Sequence, residues 1–309
     1  MQDYPCTLQE LVEWFPSEEA CSKYLSKLRW PEGYHCSKCG SKKAWLTRRN
    51  RNDCAKCGYP QSITAGTIFH RSHLPLQVWF HAIWWVTSQK SGVSALGLQR
   101  ALGLGSYKTS WSLLHKLRHV MVRPGRDLLR GNVEVDEIFV GGKSPGKLGR
   151  SSEGKDLVVV AAEVREKGKR MGRIRMQHIE DASAKTLGTF MFQNVQTGSI
   201  VTTDGWRGYN GLKGRGYRHK RVPGSEVGDQ ALLSHVHRVS ALLKRWFLGT
   251  HHGKTDSRYL NEYLNEFVFR FNRRTSRSRG LLFYRMMQNA VVVNPYGYQQ
   301  IRKPKPANH

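Results

Sequence analysis

Val133-Glu134-Val135-Asp136-Glu137-Ile138-Phe139-Val140-Gly141-Gly142 reads as a buried strand with an acid in its middle. Its period-two alternation sends the Asp136 carboxylate to the face opposite Val135, the way a metal-binding acid is mounted on a rigid sheet. A solvated face, an ion pair or a protective edge charge would also account for one such acid. A second short strand, Gly198-Ser199-Ile200-Val201-Thr202-Thr203, ends directly in Asp204, and Gly205-Trp206-Arg207-Gly208-Tyr209 follows as a turn. Two strands that each deliver an Asp in a very basic chain point to carboxylates holding divalent metal against phosphate.

The chain has 309 residues, with 50 Lys and Arg against 23 acids and a formal net charge of +27. A charge of that size calls for a polyanionic partner, and nucleic acid is the usual one. No stretch approaches the roughly 18 consecutive apolar residues of a spanning helix, so no membrane role is expected. The first residues lack a basic segment followed by an apolar run, so no secretory signal is read there and a cytoplasmic, nucleoid-associated protein is expected.

Four of the six cysteines fall into two pairs, Cys36-Ser37-Lys38-Cys39-Gly40 and Cys54-Ala55-Lys56-Cys57-Gly58. Each two-residue spacer lets a turn aim both thiolates at one point, and four thiolates complete a closed tetrahedral site for structural Zn2+. A redox dithiol is the competing reading. Between the pairs, Arg48, Arg49 and Arg51 are placed to touch phosphate rather than bases. Cys6 and Cys21 lie outside the pattern and read as small core residues.

Upstream, apolar residues at spacings of three and four predict two short helices over 6–29. Residues 74–89 read as an apolar core helix. Two helices joined by a Gly-bearing turn follow across 93–118, the second beginning near Tyr107, as in a helix-turn-helix. Pro124-Gly125-Arg126 marks a boundary, beyond which strands are expected near 133–140, 157–165 and 172–179, then a helix near 182–193 and the strand ending at Asp204. The Gly-rich basic stretch 141–150 lacks P-loop spacing and reads as a phosphate-contacting loop or a plain hairpin connection. After a strand near 217–222, residues 230–248 form an amphipathic helix on which His237, Ala241 and Lys244 share one stripe. A lone helical His is as often structural. Residues 267–279 read as a basic segment interleaved with aromatics, used for packing and phosphate contact.

Taken together, Cys36 to Cys57, Glu134-Val135-Asp136-Glu137 with Gly141-Gly142-Lys143, Thr203-Asp204-Gly205-Trp206 with Tyr209, and the run from Gly249 through Glu266 to Arg274 resemble the bacterial insertion-sequence transposases that join a zinc ribbon to a ribonuclease-H-like DDE-type domain. The resemblance implies an α/β fold, a ribonuclease-H-like mixed sheet flanked by helices, preceded by a zinc ribbon and a helix-turn-helix-like segment. It divides the chain into 1–65 (N-terminal helices and ribbon), 66–124 (helical DNA-binding region), 125–293 (catalytic domain) and 294–309 (basic, disordered tail). Asp136 and Asp204 would be the first two catalytic carboxylates, on the first and fourth strands, holding Mg2+ or Mn2+. The third position is commonly Glu. Here no Asp or Glu occurs from 231 to 255, and His237 stands 33 residues beyond Asp204. His237 is therefore assigned to the site, with Lys244 as its basic companion near the transferred phosphate. The implied partners are the element's terminal inverted repeats and target DNA, bound by a homo-oligomer. A DNA-binding regulator derived from a transposase, or a nuclease that cuts without joining, are the alternatives.

Overall fold

The computed structural model describes residues 3–47, 51–141, 155–165, 170–222, 233–251, 253 and 256–302. Part of the 141–150 loop, Arg48 and Arg49 lie outside these residues. The chain forms two compact units, one from residues 1–124 with 276–302 and one from 125–275 with 303–309.

The first unit opens with helices α1 (Leu8–Trp14) and α2 (Glu18–Arg29), begun by Thr7 and Ser17, whose side chains accept the free N–H groups of Glu10 and Ala20. The ribbon follows as three short antiparallel strands, β1 (Ala44–Leu46), β2 (Arg51–Cys54) and β3 (Pro60–Ser62). Next come α3 (Leu76–Ser88), α4 (Ala95–Leu102) and α5 (Tyr107–Val120). Gly103 ends α4 at φ +61°, a left-handed turn that a Cβ would strain, and so sets the angle at which α5 leaves. The expected pair of helices joined by a Gly-bearing turn is present, with α5 exposed at Tyr107 and Lys108 and half-buried at Trp111, Ser112 and Lys116. His115, Leu117 and Arg118 are buried.

The second unit is a five-stranded sheet in the order β6-β5-β4-β7-β8. Its strands are β4 (Asn132–Val140), β5 (Asp156–Arg165), β6 (Arg170–Ile179), β7 (Ile200–Thr203) and β8 (Arg218–Arg221). Three consecutive strands pair antiparallel, and β7 and β8 are then added parallel on the other side of β4, which makes the mixed sheet ribonuclease-H-like. Helix α6 (Ala184–Asn194) with the 3-10 stretch Arg207–Arg215 covers one face, where Val133, Val135, Val201, Phe190 and Tyr209 form the core. Helices α7 (Ser234–His251) and α8 (Leu260–Asn272) cover the other, against Ile138, Val140, Val158 and Met176. The alternation along β4 thereby sorts its acids: Glu134 and Asp136 share the α7 face with Ile138, while Glu137 lies opposite with Val135. Asn261 and Asn272 on α8 accept the free N–H groups of His178 and Ile174 on edge strand β6, which blocks further strand pairing there.

A bulge on β6 opposite Glu163 turns the Arg173 N–H onto that carboxylate, with Arg130 N and the Arg173 guanidinium as further donors. Glu163 is only 2% exposed. Burial alone would raise its pKa, but the Arg173 contacts outweigh it and bring the group from 4.5 down to about 2. A depressed carboxylate stabilises the fold above its unfolded pKa and loses that contribution as pH falls from about 4.5 through about 2, here about 3 kcal/mol at neutral pH. Glu163→Gln should therefore lower the urea midpoint at pH 7, and the gap to wild type should close below pH 3; a gap that is constant with pH would assign the loss to packing instead.

After α8 the chain returns to the first unit as α9 (Arg279–Val292) and α10 (Tyr298–Arg302). The expected catalytic-domain boundary at 293 therefore moves to about 275, because Phe283 of α9 packs on Phe15, Phe80 and Trp84. The expected disorder from 294 is corrected for 298–302, which are helical with Ile301 buried. Residues 267–272 belong to α8 rather than to an irregular basic segment. The Arg274 guanidinium donates to the carbonyls of Gly172 and Phe271 and sits over the Phe271 ring, and Arg273 does the same at Phe269, so packing is the role their contacts give them.

Candidate active site and metal centres

The ribbon builds its cysteine site from two copies of one turn. Gly40 N–H donates to Cys36 O and Gly58 N–H to Cys54 O, each at 2.9 Å. Both glycines are left-handed, at φ +70° and +66°. Each turn curls its two thiols inward, and β1–β2 pairing of Ala44 with Cys54 brings the turns face to face. The Cys36–Cys57 and Cys39–Cys54 sulfurs lie 3.7 and 3.5 Å apart, and all four lie within 4.8 Å of one another. Tetrahedral Zn–S bonds of about 2.3 Å require sulfurs about 3.8 Å apart, so the four fit the ion. Their charges also need it. Burial opposes ionising Cys54, but the N–H groups of Cys57 and Lys56 outweigh it and bring the thiol to about 6. At Cys39 the Ser41 N–H works downward, yet the neighbouring thiols and burial push the group up to about 12. Four thiolates are compatible at neutral pH only around a cation.

The acid site lies at the middle of β4 and the C-terminal end of β7. Parallel pairing of Glu134 with Thr202 puts Asp136 and Asp204 at matching positions, two residues further along each strand. Asp136 Oδ1 accepts the Glu137 N–H at 2.9 Å, and Oδ2 lies 3.4 Å from His237 Nε2. Asp204 Oδ1 accepts the Trp206 N–H at 3.0 Å, and Trp206 is itself tied to Ala182 O at 2.8 Å. Burial and then the Asp204 charge raise the pKa of Asp136, while the Glu137 N–H and His237 work the other way. A carboxyl raised by burial and by a neighbouring carboxylate suits a hard divalent cation, which would relieve the repulsion. His237 keeps 47% of its side chain exposed. Lys244 is exposed on the same stripe of α7, about 10 Å further along the helix axis.

Two contacts went unread in the sequence. Glu134, on the Asp136 face, is 6% exposed and bonds the start of α7. Glu137, on the opposite face, accepts from the buried Tyr209 hydroxyl, and burial pushes it up to about 7. The period-two pattern sorted these acids by face but named no partner. Three other residues compete with His237 for the third place: His235, on the same helix, is turned to Glu134 instead, and Glu226 and Asp229 in the preceding stretch lie outside the described residues.

A ribonuclease-H-like sheet that sets one Asp in the middle of β4 and another at the end of the adjacent β7, in a chain that also carries a four-cysteine ribbon, defines the class of zinc-ribbon, acid-site DNA-processing proteins. Residues 128–272 match the ISXO2-like transposase domain, and residues 16–60 match the transposase zinc-ribbon domain. An uncharacterized protein in transposable element ISH50 of Halobacterium salinarum is 25% identical over 288 residues, covering 84% of this chain and 92% of the relative. Among solved structures, the simian T-cell lymphotropic virus intasome in complex with PP2A regulatory subunit B56 gamma aligns at 13% identity and a TM-score of 0.33, over 60% of this chain and 70% of that one. The chain belongs to the insertion-sequence transposases, with a transposase zinc ribbon ahead of an ISXO2-like transposase domain. No helix among the described residues is long and apolar enough to cross a membrane.

Proposed function

We propose that this transposase hydrolyses DNA at the ends of its element and joins the freed 3′ ends to target DNA, using Asp136, Asp204 and His237 as ligands for Mg2+ or Mn2+. The observation that carries the reading is the register that sets Asp136 beside Asp204, with His237 of α7 against Asp136. When bound, a divalent cation pair supplies an activated nucleophile and charge stabilisation for in-line displacement at phosphorus. Asp136 and Asp204 offer hard oxygens on one side of the sheet. His237 adds a softer nitrogen, which favours Mn2+ more than a third carboxylate would. Lys244, further along the same stripe of α7, would lend its charge to the phosphate being transferred.

In the first step a water oxygen bonds to phosphorus, the P–O bond to the element's 3′ oxygen breaks, and that oxygen leaves as a hydroxyl. In the second, this hydroxyl attacks a target phosphate, loses its proton, and a target 3′ oxygen leaves with one. One phosphodiester replaces another, so no nucleotide triphosphate is needed. The ribbon and the first turn of α5 would recognise the terminal repeats, and a net charge of +27 would hold the backbone of both DNAs. A homo-oligomer would bring two ends together.

The test is a joining assay with a labelled terminal-repeat oligonucleotide and a plasmid target in Mg2+ or Mn2+. Joined product supports a transposase that cleaves and transfers; cutting alone would make this a nuclease, and binding alone a regulator. In the same assay, His237→Ala should lower joining about 10- to 100-fold, as removal of a group at a metal site does. His237→Glu should keep activity and shift its preference from Mn2+ toward Mg2+. Wild-type rates in His237→Ala would take the histidine out of the site.

A further inference from the structure

We propose that Glu134 is a positioning residue of the acid site: it fastens the first turn of α7 to β4 and thereby holds His237 against Asp136. The inference rests on the assignment of Asp136 and His237 given above.

A helix begins with backbone N–H groups that have no partner within the helix, and α7 carries no acid in its own first turn. The partner comes from a strand a hundred residues earlier. Glu134 Oε2 accepts the N–H groups of His235 at 2.9 Å and Val236 at 3.1 Å, and Oε1 meets His235 Nδ1 at 2.7 Å. A buried carboxylate that accepts three hydrogen bonds at a helix N-terminus has both its charge and its oxygens satisfied, and each such bond is among the stronger kinds. The contact lies beside the site in both elements. Glu134 precedes Asp136 by two residues on one face of β4, about 7 Å along the strand, and His235 precedes His237 by two residues on α7. Loosening this junction would move His237 and leave Asp136 where the sheet holds it.

The first unit contains the same device without a site beside it. Glu18 accepts the N–H groups of Leu76 and Gln77 at 2.9 and 2.8 Å, at the start of α3, which Pro75 leaves without a side-chain cap. Glu18 therefore reports what the loss of a helix-fastening carboxylate costs the fold alone.

The experiment uses the full chain. Mn2+ binding is followed by electron paramagnetic resonance without DNA, joining is measured with DNA, and thermal melting is measured for each variant. Glu134→Gln keeps the shape but turns an amide N–H toward backbone donors. It should weaken Mn2+ binding about tenfold and joining about 10- to 100-fold. Glu18→Gln should lower the melting point and leave Mn2+ affinity unchanged. The double variant Glu134→Gln/His237→Ala should bind Mn2+ no more weakly than His237→Ala, because one residue acts through the other. Losses that multiply, or Glu134→Gln with wild-type affinity beside a weakened His237→Ala, would overturn the positioning role and leave the site assignment standing. Wild-type affinity and joining in His237→Ala would overturn both. Should Glu134→Gln not fold, His235→Ala keeps the two backbone bonds and should still weaken Mn2+ binding several-fold without adding to His237→Ala; unchanged affinity there overturns the proposal.

Discussion

Asp136→Ala should reduce strand joining by about 1,000-fold or more while binding to terminal-repeat DNA stays within a few fold. The carboxylate is a hard ligand at the reacting phosphate, and losing several kcal/mol of charge stabilisation there costs about three orders of magnitude in rate. Nothing in its surroundings gives it a part in reading sequence: its oxygens face the Glu137 N–H and His237. Asp204→Ala should behave alike. Its fold effects should also be small, because its carboxylate accepts the Trp206 N–H and Trp206 is held separately by Ala182 O. Gel-shift and joining assays on the same preparations check both. Undiminished joining by Asp136→Ala would remove this pair of strands from the chemistry, and a regulator would then account for the binding.

Cys54→Ser should release the ribbon's metal and abolish specific end binding, with the transposase domain still folded. Structural zinc contributes on the order of 10–16 kcal/mol of apparent binding energy to small domains of this kind, far more than three strands of three or four residues can recover. Among the described residues from Cys36 to Ser62, only Cys36, Cys54 and Gln61 are buried, so the metal replaces a core. Elemental analysis should find one zinc per wild-type chain and none in the variant, while the melting transition of the β4–β8 sheet persists. Non-specific binding should remain and fall steeply with salt, since it depends on the chain's net charge rather than on the ribbon. A purified, reduced protein without zinc would contradict the ribbon.

These expectations draw unequally on sequence and structure. The cysteine pairs were legible because a metal knuckle is local: two thiols, a two-residue spacer and a glycine whose positive φ only that residue adopts freely, all within five positions. Strand β4 was legible because its alternation is strict enough to sort Glu134 and Asp136 from Glu137 before any fold is known. Helices α8 and α9 were not. Arginines and asparagines interrupt the Phe pattern of α8, and their purpose appears only when Asn261 and Asn272 meet the edge of β6. Helix α9 carries Leu282, Phe283, Met286, Met287 and Ala290 at helical spacing, a signal present but overlooked beside the basic run before it.

By itself, the sequence determined which residue types the chain holds ready: four thiols in two turns, an Asp in the middle of one strand and at the end of another, a helix with His237 and Lys244 on one stripe, and charge enough to bind DNA. Local periodicity carries that much, because side-chain direction on a strand or helix follows from the backbone repeat. Tertiary structure alone decided which of these groups meet. Asp136 and Asp204 are neighbours because β7 pairs parallel to β4, His237 rather than His235 faces Asp136 because Glu134 takes His235, and the last helices complete the first unit because Phe283 fills its core. Each of those contacts joins residues far apart in the chain, and no local repeat encodes the register, the helix docking or the buried hydrogen bond that fixes it.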